Sequence, residues 1–134
     1  MLCKTQYTVD MKQPVDTIAL ARRLAQELRR GSLVLATLSQ LRVAKYGYSL
    51  VQELSERGLE VEQGTLYPLL RRLDEYGLLR SEWKVDGSRP RKYYALSPAG
   101  VEVLNTLSDQ WYELAGTLTE LMHNSSEGED SGPD

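Results

Sequence analysis

The chain has 134 residues, of which 41% are apolar, and a formal net charge of −3, which is the size of a single domain with enough apolar material for one core. No run of about 18 apolar residues occurs, which excludes a membrane-spanning helix, and the single cysteine, Cys3, excludes an intrachain disulfide. The first residues lack the apolar centre of a signal peptide, so we expect a cytoplasmic protein.

The charge is unevenly distributed along the chain. Residues 1–30 hold six Lys or Arg and three Asp or Glu, residues 31–98 hold ten and eight, and residues 99–134 hold none and eight. The first two segments are therefore mildly positive, and the acidity lies almost wholly in the last. Since affinity for nucleic acid depends on local neutralisation of phosphates, the net charge does not exclude DNA as a partner.

The N-terminal half predicts three helices. Residues 1–15 are polar and expected to be flexible, and Asp16 is a helix-capping signal. Apolar residues at three- and four-residue steps then predict an additional amphipathic helix over 16–30. After a break at Gly31-Ser32, an apolar stretch predicts a second helix to about residue 42, and the pattern over 46–57 predicts a third.

A fourth helix and a hairpin follow. Four leucines at helical spacing would face a core, whereas Pro68, Arg71, Arg72 and Glu75 fall on the opposite face; the leucines are Leu66, Leu69, Leu70 and Leu73. Residues 79–84 and 91–96 predict two strands joined around Asp86-Gly87. A short helix that presents arginines, followed by a hairpin with a basic tip, is the layout of a winged helix-turn-helix DNA-binding domain, predicted here over 31–97.

The start of the fourth helix depends on Pro68. If Thr65 is the N-cap, Pro68 is the third helical residue and its missing N–H costs little. If the helix starts earlier, a kink near Pro68 is expected. The pattern alone leaves both open.

The C-terminal part predicts a dimerisation helix and a tail. Ser97-Pro98 is a helix start, and large apolar residues then recur at alternating steps of three and four, which is a heptad seam of the coiled-coil kind. Its members are Leu104, Leu107, Trp111, Leu114, Leu118 and Leu121. We therefore expect a homodimer held by a helix over 98–123, followed by a disordered acidic tail over 124–134.

Three motifs in this order resemble the PadR family of bacterial transcriptional regulators. They are Tyr46-Gly47-Tyr48, the segment 64–73 that begins Gly64-Thr65-Leu66-Tyr67-Pro68, and the segment 90–100 that begins Pro90-Arg91-Lys92-Tyr93-Tyr94. The match covers about residues 29–122. It implies a mainly α-helical winged helix-turn-helix fold with a small β-hairpin and one C-terminal dimerisation helix. It also implies a sequence-specific regulator, more often a repressor, that binds a near-palindromic double-stranded operator as a homodimer.

The resemblance also implies DNA-contacting residues. In the family the fourth helix enters the major groove, where an arginine fork suits a guanine edge, and a basic wing suits phosphates or the minor groove. The predicted contacts are Lys45, Tyr46, Thr65, Tyr67, Pro68, Arg71, Arg72, Arg89, Arg91 and Lys92. The alternatives are a solvated helix face for Arg71 and Arg72, a core position for Tyr67 and a capping role for Thr65.

Trp111 has two interpretations. It is either plain dimer core or, as in a ligand-sensing subgroup of the family, one wall of a slot for a planar aromatic effector between two copies. Nearby Asp109 and Glu113 would favour a cationic compound.

Two other function classes were weighed against a regulator. An enzyme lacks support, because no convergent acid, base and nucleophile set occurs, and the single His123 and single Cys3 make no zinc site. No cofactor is expected. A dimeric ligand-binding or adaptor module without DNA binding is favoured by the overall acidity but opposed by the basic wing.

Overall fold

A computed structural model describes residues 15–131, except for the side chains of Asp86 and of residues 125–131. The elements in chain order are α1 (Thr17–Arg30), α2 (Ser32–Gln40), β1 (Lys45–Tyr46), α3 (Gly47–Glu56), α4 (Gln63–Glu75), β2 (Leu79–Asp86), β3 (Arg89–Leu96) and α5 (Pro98–Ser131). The mainly helical class with a small sheet is thus confirmed. The chain divides into two compact units, one ending at Leu33 and the other beginning at Val34. Of the predicted flexible segment 1–15, residues 1–14 lie outside the described part of the chain.

The first unit contains α1, the additional helix predicted over 16–30. Asp16 is its N-cap, and the carboxylate accepts a hydrogen bond from the Ala19 backbone N–H at 3.1 Å. That bond satisfies one of the donors that a helix start leaves unpaired. Its apolar stripe is exposed in the single chain, with Ile18, Leu24 and Leu28 each more than half accessible.

The core of the second unit is built of leucines. Ten of them are buried among the described residues: Leu38, Leu41, Leu50, Leu54, Leu66, Leu69, Leu70, Leu73, Leu79 and Leu104. The four leucines predicted to face inward from α4 are all in this set, which confirms the helical phase read from the sequence. At about 1.5–3 kcal/mol for each fully buried leucine, this cluster is the main favourable contribution to folding of the unit.

The turn between α3 and α4 is closed by Gly58. This residue has φ of 100°, a left-handed conformation that glycine adopts without the strain of a Cβ. The Leu59 backbone N–H then donates to the Leu54 carbonyl at 2.7 Å. This closure ends α3 and redirects the chain into α4, which completes the helix-turn-helix.

Helix α4 starts earlier than a Thr65 cap would require. Its N-cap is Glu62, without a side-chain capping bond, and Thr65 lies within the first helical turn. The Thr65 and Leu66 backbone N–H groups both donate to the Glu62 carbonyl, at 2.9 and 3.0 Å. The capping role considered for Thr65 is therefore wrong, because main-chain bonds to Glu62 set the helix start. Pro68 lies inside the helix, past the first turn.

The sheet has three antiparallel strands in the order β1-β3-β2. Strands β2 and β3 pair from Leu79 with Leu96 to Asp86 with Arg89, so the connecting turn is Gly87-Ser88. Gly87 has φ of 73°, as a tight two-residue hairpin turn demands. Each strand is two residues longer than predicted at the turn end. Strand β1 was not predicted; it adds Lys45 and Tyr46 to the open edge of β3, opposite Tyr94 and Tyr93.

Helix α5 begins at Pro98 and is joined firmly to the hairpin. The Ser97 hydroxyl donates to the Gly77 carbonyl at 2.6 Å and accepts from the Gly100 backbone N–H at 3.0 Å. The helix continues to Ser131, eight residues beyond the predicted end at 123. The predicted tail over 124–134 is therefore helical through Ser131, because extending an existing helix avoids the cost of nucleation. Residues 132–134 lie outside the described part.

The heptad seam has two parts that differ in burial. Leu104 is 1% exposed and belongs to the core of its own chain, and Leu107 is half-buried. The other four seam residues are exposed by 40% or more: Trp111, Leu114, Leu118 and Leu121. The assignment of Leu104 to dimerisation is thus corrected, since the winged domain of the same chain already covers it. No helix in the described part of the chain is long and apolar enough to cross a membrane.

Candidate nucleic-acid interface

A groove of about 560 Å³ lies between the hairpin and the helix-turn-helix. Its cations come from two separate elements, with Arg71 on α4 and the other three on the hairpin: Arg89, Arg91 and Lys92. The groove also carries five aromatic side chains: Tyr46, Tyr48, Tyr67, Trp83 and Tyr94. Gly47, Leu70 and Pro90 complete its lining. Hence six of the ten predicted DNA-contacting residues lie around one concave surface.

Strand β1 attaches the wing to the helix-turn-helix through Tyr46. The Tyr46 and Tyr93 rings meet edge to face with centroids 5.4 Å apart. The Arg91 guanidinium lies over the Tyr46 ring, 4.4 Å from its centroid, and the Lys84 ammonium lies 5.0 Å from that of Tyr93. These cation–π contacts, each worth about 0.5–1 kcal/mol at exposed sites, favour one placement of the Arg91 charge.

The Tyr67 ring packs closely against Gly47 at the start of α3. A Cβ on Gly47 would stand 2.6 Å from the Tyr67 Cε1 atom. Partial burial raises the pKa of the Tyr67 hydroxyl, with further contributions from Tyr48 and Tyr46. The hydroxyl is therefore protonated at neutral pH, and 37% exposure of the residue leaves it accessible as a hydrogen-bond donor to an anion.

Tyr94 joins the hairpin to α4 at the back of the groove. Burial raises the pKa of its hydroxyl, the nearby Asp74 carboxylate raises it further, and Arg71 opposes this shift. Asp74 accepts a hydrogen bond from the Ser81 hydroxyl at 2.9 Å. The Lys92 ammonium lies 5.6 Å from the Tyr94 ring centroid. Arg71 and the wing thus belong to one electrostatic environment.

The other four predicted contacts lie outside the groove lining. Thr65, Pro68 and Arg72 are exposed on α4, and exposure is what contact with a major groove requires. Lys45 is largely covered, and its ammonium is 3.4 Å from the Glu53 carboxylate, which in turn lies 3.5 Å from the Arg57 guanidinium. An ion pair with Glu53 makes Lys45 less available to a phosphate than the wing cations.

Sequence reasoning missed two aromatic members of the groove. Trp83 is 66% exposed and pairs with Lys92 across the hairpin, and Tyr48 is 48% exposed. Strand alternation was the available signal, because residues paired across an antiparallel hairpin share a face. Trp83 therefore had to lie beside Lys92.

For Trp111 the sequence left two interpretations, plain dimer core or one wall of a ligand slot. In the single chain the Trp111 and Tyr112 rings meet edge to face with centroids 5.3 Å apart, and Trp111 is 43% exposed. Asp109 and Glu113 are exposed on the same helix. One chain alone thus presents one aromatic wall.

A helix-turn-helix followed by a basic hairpin, with cations from both facing one groove, defines the winged-helix class of DNA-binding proteins. Residues 34–106, more than half of the chain, match the model of the transcriptional regulator PadR-like family. The chain belongs to this family, and as a PadR-like protein it is a transcriptional regulator of the DNA-binding type rather than an enzyme.

Three relatives support the family. A crystal structure of a PadR family transcriptional regulator from Eggerthella lenta DSM 2243 is 45% identical, with TM-score 0.77 over 79% of this chain and 95% of that one. A PadR-like regulator from Bacillus cereus strain ATCC 14579 is 28% identical, with TM-score 0.66 over 72% and 96%. Transcriptional regulator Rv3488 of Mycobacterium tuberculosis (strain ATCC 25618 / H37Rv) is 51% identical over 55 residues, 41% of this chain. The match to this curated relative spans about half of its length.

Proposed function

We propose that two copies of the chain form a homodimer that binds a near-palindromic operator in the cytoplasm and represses transcription. Helix α4 enters the major groove, and the wing lies against phosphates or in the minor groove. The observation that carries this proposal is the convergence of Arg71 from α4 with Arg89, Arg91 and Lys92 from the hairpin on one groove. Such a surface meets the closely spaced phosphates of a duplex while a helix face remains available for base edges.

The dimer contact is proposed for the exposed part of the α5 seam. Trp111, Leu114, Leu118 and Leu121 follow the alternating spacing of a helix pair, and each is 40–59% exposed in one chain. An apolar stripe of this length on a solvent-exposed helix is typical of an interface. A two-fold axis through α5 would also relate the two α4 helices, as a palindromic operator requires.

The effector is proposed to be a planar aromatic compound held between Trp111 and its symmetry mate. Exposed Asp109 and Glu113 favour a cationic compound there. Its binding would change the tilt of the two α5 helices and hence the spacing of the two recognition helices. Release from DNA then requires tighter binding to the free dimer than to the DNA-bound dimer, since a ligand shifts an equilibrium only by its differential affinity.

Operator binding is tested by fluorescence anisotropy with a fragment selected from genomic DNA. Arg71→Ala or Arg72→Ala is expected to weaken the selected site by about 1–3 kcal/mol and to spare random DNA, if that residue reads a base. Arg91→Ala or Lys92→Ala is expected to weaken both and to reduce the salt slope by about one. Arg80→Ala is the matched control, because Arg80 is exposed on β2 but does not line the groove.

The second candidate is a dimeric ligand-binding or adaptor module without DNA binding, which the net charge of −3 favours. The same titration separates the two functions. The absence of any fragment bound above random DNA would support the adaptor. An operator affinity unchanged in the Arg71/Arg72 double alanine variant would instead assign base reading to other residues. Tryptophan fluorescence with planar dyes, with and without operator, tests the effector site; equal quenching in Trp111→Ala would make Trp111 dimer core only.

A further inference from the structure

The groove between wing and helix-turn-helix holds more aromatic surface than a DNA backbone needs. Arg91 lies over one face of the Tyr46 ring and Lys92 lies near Tyr94. Trp83, Tyr48 and Tyr67 remain 66%, 48% and 37% exposed. These three rings lie on one concave surface with Leu70 and Pro90. Exposed aromatic residues gathered in a concavity are unusual on a hydrated surface and indicate a binding partner with ring faces of its own.

A B-form duplex does not supply those ring faces. Its bases are stacked inside the helix, and the strand that passes a wing presents phosphates and sugars. The four cations of the groove are therefore matched by DNA, whereas the ring faces of Trp83 and its neighbouring tyrosines are not. Arginine and lysine beside exposed aromatic rings are the combination that holds an unstacked nucleotide, in which the base stacks and the phosphate takes charge-assisted hydrogen bonds.

We propose that this groove is a binding site for a planar aromatic phosphate, with the chemistry of a nucleoside monophosphate. The ring stacks on Trp83, with Tyr48 or Tyr67 completing the apolar wall, and the phosphate lies among Arg71, Arg91 and Lys92. The volume of about 560 Å³ is within the range of small-molecule sites. No carboxylate with a described side chain lines the groove to oppose the phosphate.

One consequence rests on the proposed operator binding. A phosphate ligand among Arg71, Arg91 and Lys92 occupies the cations that duplex phosphates would use, so ligand and operator compete directly. The apparent operator affinity then falls by the factor one plus the ligand concentration over its Kd, without any change in the α5 contact. This route to release is distinct from the Trp111 slot, both in place and in the charge of the compound.

Isothermal titration calorimetry of the full chain without DNA tests the site by itself. The probes are adenosine 5′-monophosphate, adenosine and inorganic phosphate. We expect the nucleotide to bind with one molecule per chain and at least about tenfold more tightly than adenosine or phosphate, because one contributes only stacking and the other only charge. A short single strand with a 5′-phosphate distinguishes the source: tighter binding than the free nucleotide assigns the groove to a strand end.

Two variants test whether the nucleotide binds at Trp83 and Lys92. Trp83→Leu and Lys92→Gln are each expected to weaken nucleotide binding about tenfold or more, through the lost stacking face and the lost charge respectively. Arg80→Gln is the matched control, and circular dichroism verifies that all three variants fold, as expected for surface positions. Equal affinity for nucleotide and phosphate, or full nucleotide affinity in Trp83→Leu, would overturn the proposal. A nucleotide that binds but leaves operator affinity unchanged would overturn only the competition.

Discussion

Substitution by alanine is expected to have opposite effects on stability at two glycines of α5, Gly100 and Gly116. A methyl group on Gly100 would overlap the Leu78 carbonyl oxygen and stand 3.1 Å from the Leu96 Cδ2 atom. That oxygen is fixed, because it accepts the Ser97 backbone N–H at 3.0 Å where the hairpin meets α5. At Gly116 a methyl group would meet no described heavy atom within 4 Å beyond the backbone of the helix itself. The two positions thus share a helix and differ in packing.

The expected changes in the free energy of unfolding follow from this difference in packing. Replacing a helical glycine with alanine stabilises by about 0.5–1 kcal/mol, so the free energy of unfolding of Gly116→Ala is expected to rise by that amount. At Gly100 the same gain is opposed by overpacking against backbone, which costs about 1–3 kcal/mol. A net loss of up to about 2.5 kcal/mol is therefore expected for Gly100→Ala.

Urea denaturation followed by far-ultraviolet circular dichroism measures both variants against the unmodified chain. Protein concentration is held equal, since the stability of a dimer depends on it. Equal unfolding midpoints for the two variants would show that a small backbone shift relieves the overlap at residue 100. The close approach of α5 to the hairpin would then not constrain the position of the wing, and the reasoning would fail.

Four further outcomes are expected. Leu104→Ala should lower the free energy of unfolding by about 2–5 kcal/mol, as for a large core cavity, and retained stability would contradict its burial. Leu114→Asp should leave the chain folded but monomeric by light scattering and weak on the operator; a dimeric variant would place the interface elsewhere. Gly47→Ala should displace the Tyr67 ring and weaken operator binding with little loss of stability, whereas unchanged affinity would separate that ring from DNA. Tyr67→Phe removes only the hydroxyl donor and should cost about 1 kcal/mol of operator affinity, as measured by anisotropy.

The sequence predicted the elements that are marked by a regular apolar pattern or by a characteristic capping or turn residue. The leucines of α4 repeat at helical spacing, and all four are buried. Asp16 has the chemistry of a cap and forms that bond with Ala19. Gly87 marked the hairpin turn because few other residues adopt its φ of 73°. In each case a local rule and the tertiary fold require the same residue type, so the pattern is sufficient.

The parts that were not predicted depend on contacts distant in sequence. Strand β1 has two residues, too few for any alternation, and it exists because Tyr46 pairs with Tyr93 across more than 40 positions of chain. The groove itself needs that pairing, since β1 brings the Tyr46 ring under Arg91. The start of α4 likewise depended on the Glu62 carbonyl rather than on a capping side chain.

The heptad seam shows that a correctly predicted apolar pattern does not reveal which part of the protein covers it. From Leu104 to Leu121 the alternation of three- and four-residue steps is unbroken, and a pattern of apolar residues states only that one helix face must be covered. The winged domain of the same chain covers Leu104, which is 1% exposed, whereas Leu121 is 59% exposed. The seam changes from covered to exposed along α5 between Leu107 and Trp111. Any dimer contact through this face therefore begins near Trp111, so the aromatic slot proposed there would lie at the end of the interface closest to the DNA-binding domain. In the proposed dimer, a compound bound at that end would act on the angle between α5 and the two winged domains, and hence on the separation of the recognition helices.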